Sequence, residues 1–335
     1  MITVGIIGYG YWGPNLVRNF FAASDCRIKS VADFSSNRLQ QLNRIYPTIN
    51  GVSNPEDILN DTDIDAVIIA TPVFTHFDLA KKALLNGKHV LLEKPMASSV
   101  AQCEELIELA NKKDLLLMVD HTFLYTGAVE KMKDLIDNDG VGNIRYIDST
   151  RINLGLFQPD INVLWDLAPH DLSILRYLCQ SKPYSVNATG ISHTVNKIEN
   201  MAFMTINYST DFIAHLNCSW TSPVKVRQML IGGDKKMILY NDVEPTEKVK
   251  VYDTAYQLTN DEEKNKILVD YRVGDIYVPK IANKEALASV ASDFINCIIN
   301  KKEPRSSYHI GLDIVKLLEA SERSIKNNGI EVKLN

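Results

Sequence analysis

Residues 1–15 read MITVGIIGYGYWGPN, and the fold is decided there. Thr3–Ile7 is rich in β-formers and stops at Gly8, and Asn15–Ala23 follows with Leu16, Val17, Phe20 and Phe21 at helical spacing. Between them lies Gly8-Tyr9-Gly10-Tyr11-Trp12-Gly13, a G-x-G-x-x-G with a strand before it and a helix after it. Alone the pattern is weak, because glycines also fill ordinary turns. In this setting each has a task. Gly8 permits the tight turn, Gly10 lets backbone approach a pyrophosphate, and Gly13 lets helix and strand pack closely. The N–H groups at the helix start then face phosphate. Pro14 is tolerated there, since first-turn N–H groups have no helical partner. Tyr11 and Trp12, set between the glycines, are expected to cover the cofactor or its crevice, with plain packing as the alternative.

Working outward, Arg27–Ala32 reads as a second strand that ends at Asp33, about 20 residues past Gly13. An acid at that place accepts hydrogen bonds from the adenosine ribose and repels a 2′-phosphate. NAD is therefore expected ahead of NADP. Ser35, Ser36 and Arg38 moderate the preference, because Arg38 can meet a phosphate.

Strand and helix go on alternating. Ser36–Arg44 is helical, and Ala66–Ala70 is an apolar strand of the kind buried on both faces. Phe77–Asn86 is a helix ended by Gly87, His89–Leu92 a strand, Val100–Lys112 a helix and Leu115–Val119 a strand. A doubly wound parallel sheet is the economical arrangement. After about Asp120 the rhythm changes. One helix, Ala128–Asp137, precedes longer β-type segments at Ile144–Ile152, Ser185–His193, Met201–Tyr208, Phe212–Ser219, Arg227–Gly232 and Met237–Tyr240. Short turns between them imply a largely antiparallel sheet. Pro169–Leu178 is its one clear internal helix, 241–279 is polar and irregular, and 284–300 and 311–326 are helical by period. The expected architecture is α/β: an N-terminal Rossmann domain over 1–122, then an α+β domain over 123–335 with a large, mostly antiparallel open sheet.

Composition is consistent with this. The 335 residues suggest two domains at roughly 100–200 residues each. Apolar residues make up 45%, so each domain can bury a core and a disordered chain is disfavoured. A net charge of −5 gives no footprint for nucleic acid. Cys26, Cys103, Cys179, Cys218 and Cys297 are scattered and odd in number, which favours free thiols over a disulfide framework or a metal site. No apolar run suggests a membrane span, and the N-terminus does not read as a signal peptide, so the cytoplasm is the expected location.

At Glu93-Lys94-Pro95 the chain leaves a buried strand with a charged pair and a proline. Ligands of open α/β sheets bind outside the carboxyl ends of the strands, so a lysine there points into the crevice. Further on, Asp166 and His170 stand four apart and share one face of a helix. A histidine so placed can take a proton near neutral pH, with the aspartate fixing its tautomer or binding a neighbouring hydroxyl. An acidic residue beside a packed histidine is the plain alternative.

Taken together, GYGYWG, Thr71-Pro72 with His76, Glu93-Lys94-Pro95 and Asp166-x-x-x-His170-Asp171 resemble the Gfo/Idh/MocA family of NAD(P)-dependent sugar and cyclitol oxidoreductases over essentially the whole chain. The resemblance implies that Lys94 contacts the reacting hydroxyl and the nicotinamide region, with a cis peptide before Pro95. It implies that Asp166 and His170 face the substrate, and that Thr71, Pro72 and His76 form a cofactor-side loop. Where many relatives carry N-x-R-F after the fifth strand, this chain has Asp120-His121-Thr122-Phe123-Leu124-Tyr125. Thr122 can still bind a carboxamide, but the arginine is missing.

The Gly-Tyr-Trp-Gly-Pro-Asn and His-Thr-Phe-Leu-Tyr pattern resembles a nucleotide-sugar branch of the family. That implies a UDP-N-acetylhexosamine or a similar activated sugar, oxidised at ring carbon three. Tyr125 and Arg151 join the expected substrate residues. Arg151 either pairs with a substrate phosphate or carboxylate or is a surface arginine. The loop 153–164 is long enough to line or cover a sugar site. Lys94 and His170 are expected to converge beside one nicotinamide ring and share the hydroxyl proton, either one as base. No metal is expected. A homodimer or homotetramer through the second domain's sheet is expected, as are a small-molecule substrate and neither a nucleic-acid nor a membrane partner. Two rival readings are a glycosidase that uses the dinucleotide transiently and a sensor that binds it without chemistry.

Overall fold

This computed structural model describes residues 1–179, 181–208, 212–253, 255–261 and 266–334. They divide into two compact units: Met1–Thr126 with Lys284–Lys316, and Gly127–Asn283 with Leu317–Asn335.

The first unit contains β1 (Ile2–Ile7), α1 (Gly13–Ala22), β2 (Cys26–Ala32), α2 (Ser36–Ile45), β3 (Asn50–Val52), α3 (Glu56–Leu59), β4 (Ala66–Ile69), α4 (His76–Leu85), β5 (His89–Glu93), α5 (Val100–Lys113) and β6 (Leu117–Asp120). Its six strands are parallel and run in the order β3-β2-β1-β4-β5-β6. All of β4 and β6 is buried, as expected of strands with helices on both faces. The order reverses between β1 and β4, which places a crevice at their carboxyl ends. There Gly8 has φ +102°, and a side chain on it would lie 2.3 Å from the Ala70 carbonyl oxygen. Only glycine allows the two strand ends to come so close.

The unit boundary differs from the expected break at 122/123, and the unit is not continuous in sequence. The outward apolar face of α1 needs cover, and a distant segment supplies it. Phe20 meets Phe294 edge to face at 6.2 Å, and Arg18 pairs with Glu285. Ser306 hydrogen-bonds to the Val119 carbonyl at the end of β6.

The second unit contains α6 (Gly127–Asp137), β7 (Ile144–Leu154), α7 (Val163–Leu178), β8 (Pro183–Ile191), β9 (Met201–Tyr208), β10 (Ile213–Ser219), β11 (Thr221–Gly233), β12 (Met237–Asn241) and β13 (Val249–Tyr252). Beyond these lie β14 (Ala255–Asp261), β15 (Lys266–Arg272), β16 (Ile276–Tyr277) and β17 (Val332–Lys333). α8 (Ala286–Asn300) belongs to the first unit, and α9 (Tyr308–Lys326) begins there and ends in the second. The nine-stranded sheet is β16-β13-β12-β11-β7-β10-β9-β8-β17, antiparallel except for the β7–β10 pair. Helix α7 packs on β7, β9 and β10.

Two expectations need correction. The helix read as Pro169–Leu178 begins at Val163, because Asn162 caps it: its Oδ1 accepts from the N–H groups of Leu164 (3.1 Å) and Trp165 (3.2 Å). Pro169 therefore sits inside the helix and not in its first turn. The stretch 241–279, read as irregular, carries the end of β12, then β13 to β16. Their pairing depends on neighbours in the sheet more than on intrinsic preference.

Candidate active site

In the first unit the glycine loop forms a hollow. A side chain on Gly13 would lie 2.3 Å from the Gly8 carbonyl oxygen, so packing demands glycine there. Gly10 differs: nothing lies nearer to such a side chain than Arg38 Nη1, at 3.8 Å. Protein packing does not require a glycine at that place, whereas a phosphate group set against the backbone would. Trp12 precedes α1 without a capping side chain, and Pro14 opens the helix.

Asp33 has both carboxylate oxygens engaged. Oδ2 accepts from the Tyr9 N–H and Oδ1 from the Ser35 N–H, each at 2.8 Å. Arg38 Nη1 lies 3.4 Å from Oδ2 and is half exposed. Ser35 caps α2 through the Arg38 N–H. Tyr11 is 93% exposed, so packing does not explain it.

The cofactor-side loop is held by His76, 1% exposed at the start of α4. Its ring nitrogens lie 2.9 Å from the Pro95 carbonyl oxygen and 2.8 Å from that of Thr71. Burial pushes the ring below the usual imidazole range, against the pull of those two carbonyls, and the Lys94 charge pushes the same way. The neutral ring carries one N–H and donates to one carbonyl at a time. His76 thereby ties the Thr71-Pro72 loop to the turn that follows Lys94. Thr71 Oγ1 meets Thr75 Oγ1 at 2.6 Å, and the Pro72 carbonyl accepts from Thr75. The Lys94–Pro95 peptide is cis.

Beside Lys94 lies a cluster that the sequence reading passed over. Asp120 is 2% exposed and His121 1%. Asp120 Oδ1 accepts from the Thr122 hydroxyl at 2.6 Å. Glu93 Oε1, Asp120 Oδ2 and both ring nitrogens of His121 are buried and have no protein partner. Such groups are costly unless something completes them. Burial, with Asp120 next in weight, holds the Glu93 carboxyl well above its usual range. Burial and the Lys94 charge push His121 down to about 3, so its ring is neutral. The signal for Asp120 and His121 was their place directly after an apolar strand end. Thr122 spends its hydroxyl on Asp120. Tyr125 is 2% exposed and donates to Asp293 at 2.6 Å, which does not fit the substrate contact expected of it.

In the second unit Asp166 and His170 occupy the first two turns of α7, half-buried, as the spacing implied. Trp220 Nε1 donates to Asp166 Oδ2 at 3.0 Å, and Trp220 is 1% exposed. This tryptophan also anchors the loop before α7. Its carbonyl accepts from the Gly155 N–H at 3.0 Å, and its ring lies 5.7 Å from that of Phe157. A side chain on Gly155 would lie 2.7 Å from the indole. Nothing in the sequence marked Trp220, since its partner is 54 residues away.

The structure replaces both readings of Arg151. It is neither a surface residue nor open to a substrate phosphate. It is 2% exposed and forms a two-pronged ion pair with Asp171, Nε to Oδ2 at 2.7 Å and Nη2 to Oδ1 at 2.9 Å. Burial opposes the guanidinium charge, and the Asp171 carboxylate outweighs it and raises the pKa. Asp171 follows His170 directly, so this pair fastens α7 to β7.

Among the described residues no group of three or more His, Cys, Asp or Glu is arranged to hold a metal ion, and no helix is long and apolar enough to cross a membrane. The five cysteines are free thiols.

Two family profiles match this chain. One, described as an oxidoreductase family with an NAD-binding Rossmann fold, covers residues 2–121, and the Gfo/Idh/MocA C-terminal domain covers 129–239. The chain belongs to the Gfo/Idh/MocA oxidoreductase family. Its nicotinamide-dinucleotide domain is the first unit's sheet and glycine loop. A UDP-N-acetylglucosamine 3-dehydrogenase from Acidithiobacillus ferrooxidans is 29% identical over 69% of this chain and 71% of its own. The uncharacterised oxidoreductase YdgJ from Escherichia coli is 33% identical over 50% of this chain, a match spanning about half (51%) of that protein. The solved structure of the A. ferrooxidans dehydrogenase GnnA covers 97% of this family member and 98% of its own chain, with a TM-score of 0.79 at 22% identity. An aldose–aldose oxidoreductase from Caulobacter crescentus gives 0.83 at 19%, covering 99% of both chains. At these identities the structural likeness concerns the fold.

Proposed function

We propose that this protein transfers a hydride reversibly between a nicotinamide dinucleotide and a secondary hydroxyl of a sugar. A nucleotide-activated sugar reacting at ring carbon three is the favoured substrate. The observation that carries the reading is the set of buried groups without partners around Lys94, at the strand ends next to a glycine loop with room beside Gly10. A site so built is completed by a ligand. The nucleotide-sugar class is supported by the sequence likeness to a UDP-N-acetylglucosamine 3-dehydrogenase over more than two thirds of both chains.

The dinucleotide, when bound, supplies the hydride acceptor or donor. Gly8, Gly10, Gly13 and the start of α1 hold its phosphates, with Tyr11 and Trp12 over the loop. Asp33 takes the adenosine ribose, which favours NAD, and Arg38 beside it keeps NADP within reach. Thr71, Pro72, His76, Glu93, Pro95 and Thr122 shape the nicotinamide side. Lys94 stabilises the developing alkoxide as a cation. Lys94 and His170 manage the hydroxyl proton, and Asp166, steadied by Trp220, orients His170 or a neighbouring hydroxyl. The open face of the second unit's sheet exposes Tyr146, Phe203, Ile213 and Val224, and association of copies through it is tested by sedimentation.

The deciding experiment is a panel of UDP-, GDP- and dTDP-sugars, free sugars and cyclitols, each with NAD and NADP, read by nicotinamide absorbance and by mass spectrometry of the product. A keto product from one sugar class with stoichiometric reduction of the dinucleotide supports the proposal. A second reading, chemistry without net redox, is favoured by one relative: a 2,7-anhydro-N-acetylneuraminate hydratase, 26% identical over 71% of this chain. Altered sugar with no net change in nicotinamide absorbance selects that reading and removes the first.

A further inference from the structure

Glu93 and Asp120 end two adjacent parallel strands in direct register. Paired positions of neighbouring strands lie roughly 5 Å apart, so their side chains leave the sheet together on one face. The two carboxyl groups act on each other's ionisation across the strand pair. Two bare carboxylates cannot bond to each other, because neither has a proton to give. One oxygen of each, Glu93 Oε1 and Asp120 Oδ2, is buried and has no partner. Like charges sharing a dry site do not both ionise, so the pair keeps one proton.

The surroundings decide which acid keeps it. Asp120 receives the Thr122 hydroxyl at 2.6 Å, and donors favour the charged form. Glu93 Oε1 receives no donor. The charged group that acts on the pair is Lys94 on the same strand end, and the histidines that feel that lysine's charge are His121 after β6 and His76 at the start of α4. Both histidines are buried and neutral, which leaves Lys94 as the cation that the pair's one negative charge meets.

We propose that Glu93 and Asp120 act as a single unit, with the proton on Glu93 and the charge on Asp120, that holds the Lys94 ammonium in its working position. Glu93 and Asp120 are thereby positioning residues for Lys94. The inference rests on the assignment of Lys94 to the substrate hydroxyl, and its two halves are tested separately.

The shared proton is read without catalysis. Infrared difference spectra of the dinucleotide-free protein at neutral pH should show a protonated-carboxyl stretch that disappears in Glu93→Gln. Absence of that band in the parent protein, or its survival in Glu93→Gln, overturns the shared proton.

The positioning half is read by turnover. Asp120→Asn, which removes the charge, should lower kcat about 100-fold or more. Glu93→Gln, which copies the neutral acid, should lower it by at most about tenfold. Both should bind NADH in a titration. Equal losses in the two variants overturn the assignment of charge to Asp120. If Asp120→Asn fails to fold, the infrared band and the size of the Glu93→Gln loss still decide. Lys94→Ala with full turnover would end the reading of Lys94, and the positioning role with it, while leaving the band to stand or fall alone.

Discussion

The two units bury charge in opposite ways. In the second, Arg151 and Asp171 satisfy each other through two short bonds, and Trp220 satisfies one oxygen of Asp166. In the first, Glu93, Asp120 and His121 keep buried atoms that no protein group completes. Buried polar groups must find partners. The second unit finds these inside the chain, and their role is to fix a helix. In the first, none is found among the described residues. Burial of a charged side chain is therefore no guide to function by itself; the state of its partners is. Arg151 was read as a substrate or a surface residue and proves to be a fastening, whereas His121 was given no role of its own and is buried without a partner.

Four substitutions break or sharpen this contrast. Lys94→Ala should have the largest effect, a loss of turnover of about 10²–10⁴-fold with NADH binding kept, read by steady-state kinetics and fluorescence titration. Near-normal turnover would show that the unpartnered cluster is not a reaction site. Arg151→Met should act on stability, because it strands the Asp171 carboxylate in the interior. A cost of about 3–5 kcal/mol is expected in a denaturant melt, and the double change Arg151→Met with Asp171→Leu should regain most of it. No recovery in the double variant would mean that the pair does more than hold α7.

Trp220→Phe keeps the ring and loses the N–H to Asp166. A charge-assisted hydrogen bond contributes about 1.5–3 kcal/mol, so kcat should fall about 10- to 100-fold while the melting temperature moves little. A large melting shift with unchanged kcat would make Trp220 a packing residue alone.

The smallest effect concerns pH. His121 titrates near 6.5 when unfolded and near 3 when folded. Between those values the unfolded chain carries the extra proton, so this group makes stability rise with pH, by at most about 1.4 kcal/mol per unit. Glu93 contributes with the opposite sign: its raised carboxyl binds the proton in the folded state, so its stabilisation is present at low pH and is lost as pH climbs toward its folded value. His121→Asn should flatten the rise between about pH 3 and 6.5. An unchanged slope in urea melts across that range would place the pH sensitivity elsewhere than in His121.

Much of the dinucleotide side was legible from sequence because its determinants are local. Gly8 to Gly13 and Asp33 belong to one βαβ run, where spacing fixes geometry. The helical pairing of Asp166 with His170 was legible for the same reason. What escaped depends on distant partners. The reach of 284–316 back to α1, the start of α7 at Asn162, the contact of Trp220 with Asp166 and that of Tyr125 with Asp293 join residues with no pattern between them.

The sequence by itself determined the parallel αβ half, the mostly antiparallel half and the family, because periodicity and short motifs record which faces must be buried and which turns must be glycine. Tertiary structure alone decided which buried charges are matched within the chain and which await something else. The reason is physical: whether a carboxylate or an imidazole is satisfied depends on atoms within about 3 Å, and those atoms are supplied by strands and loops that the order of residues does not place side by side.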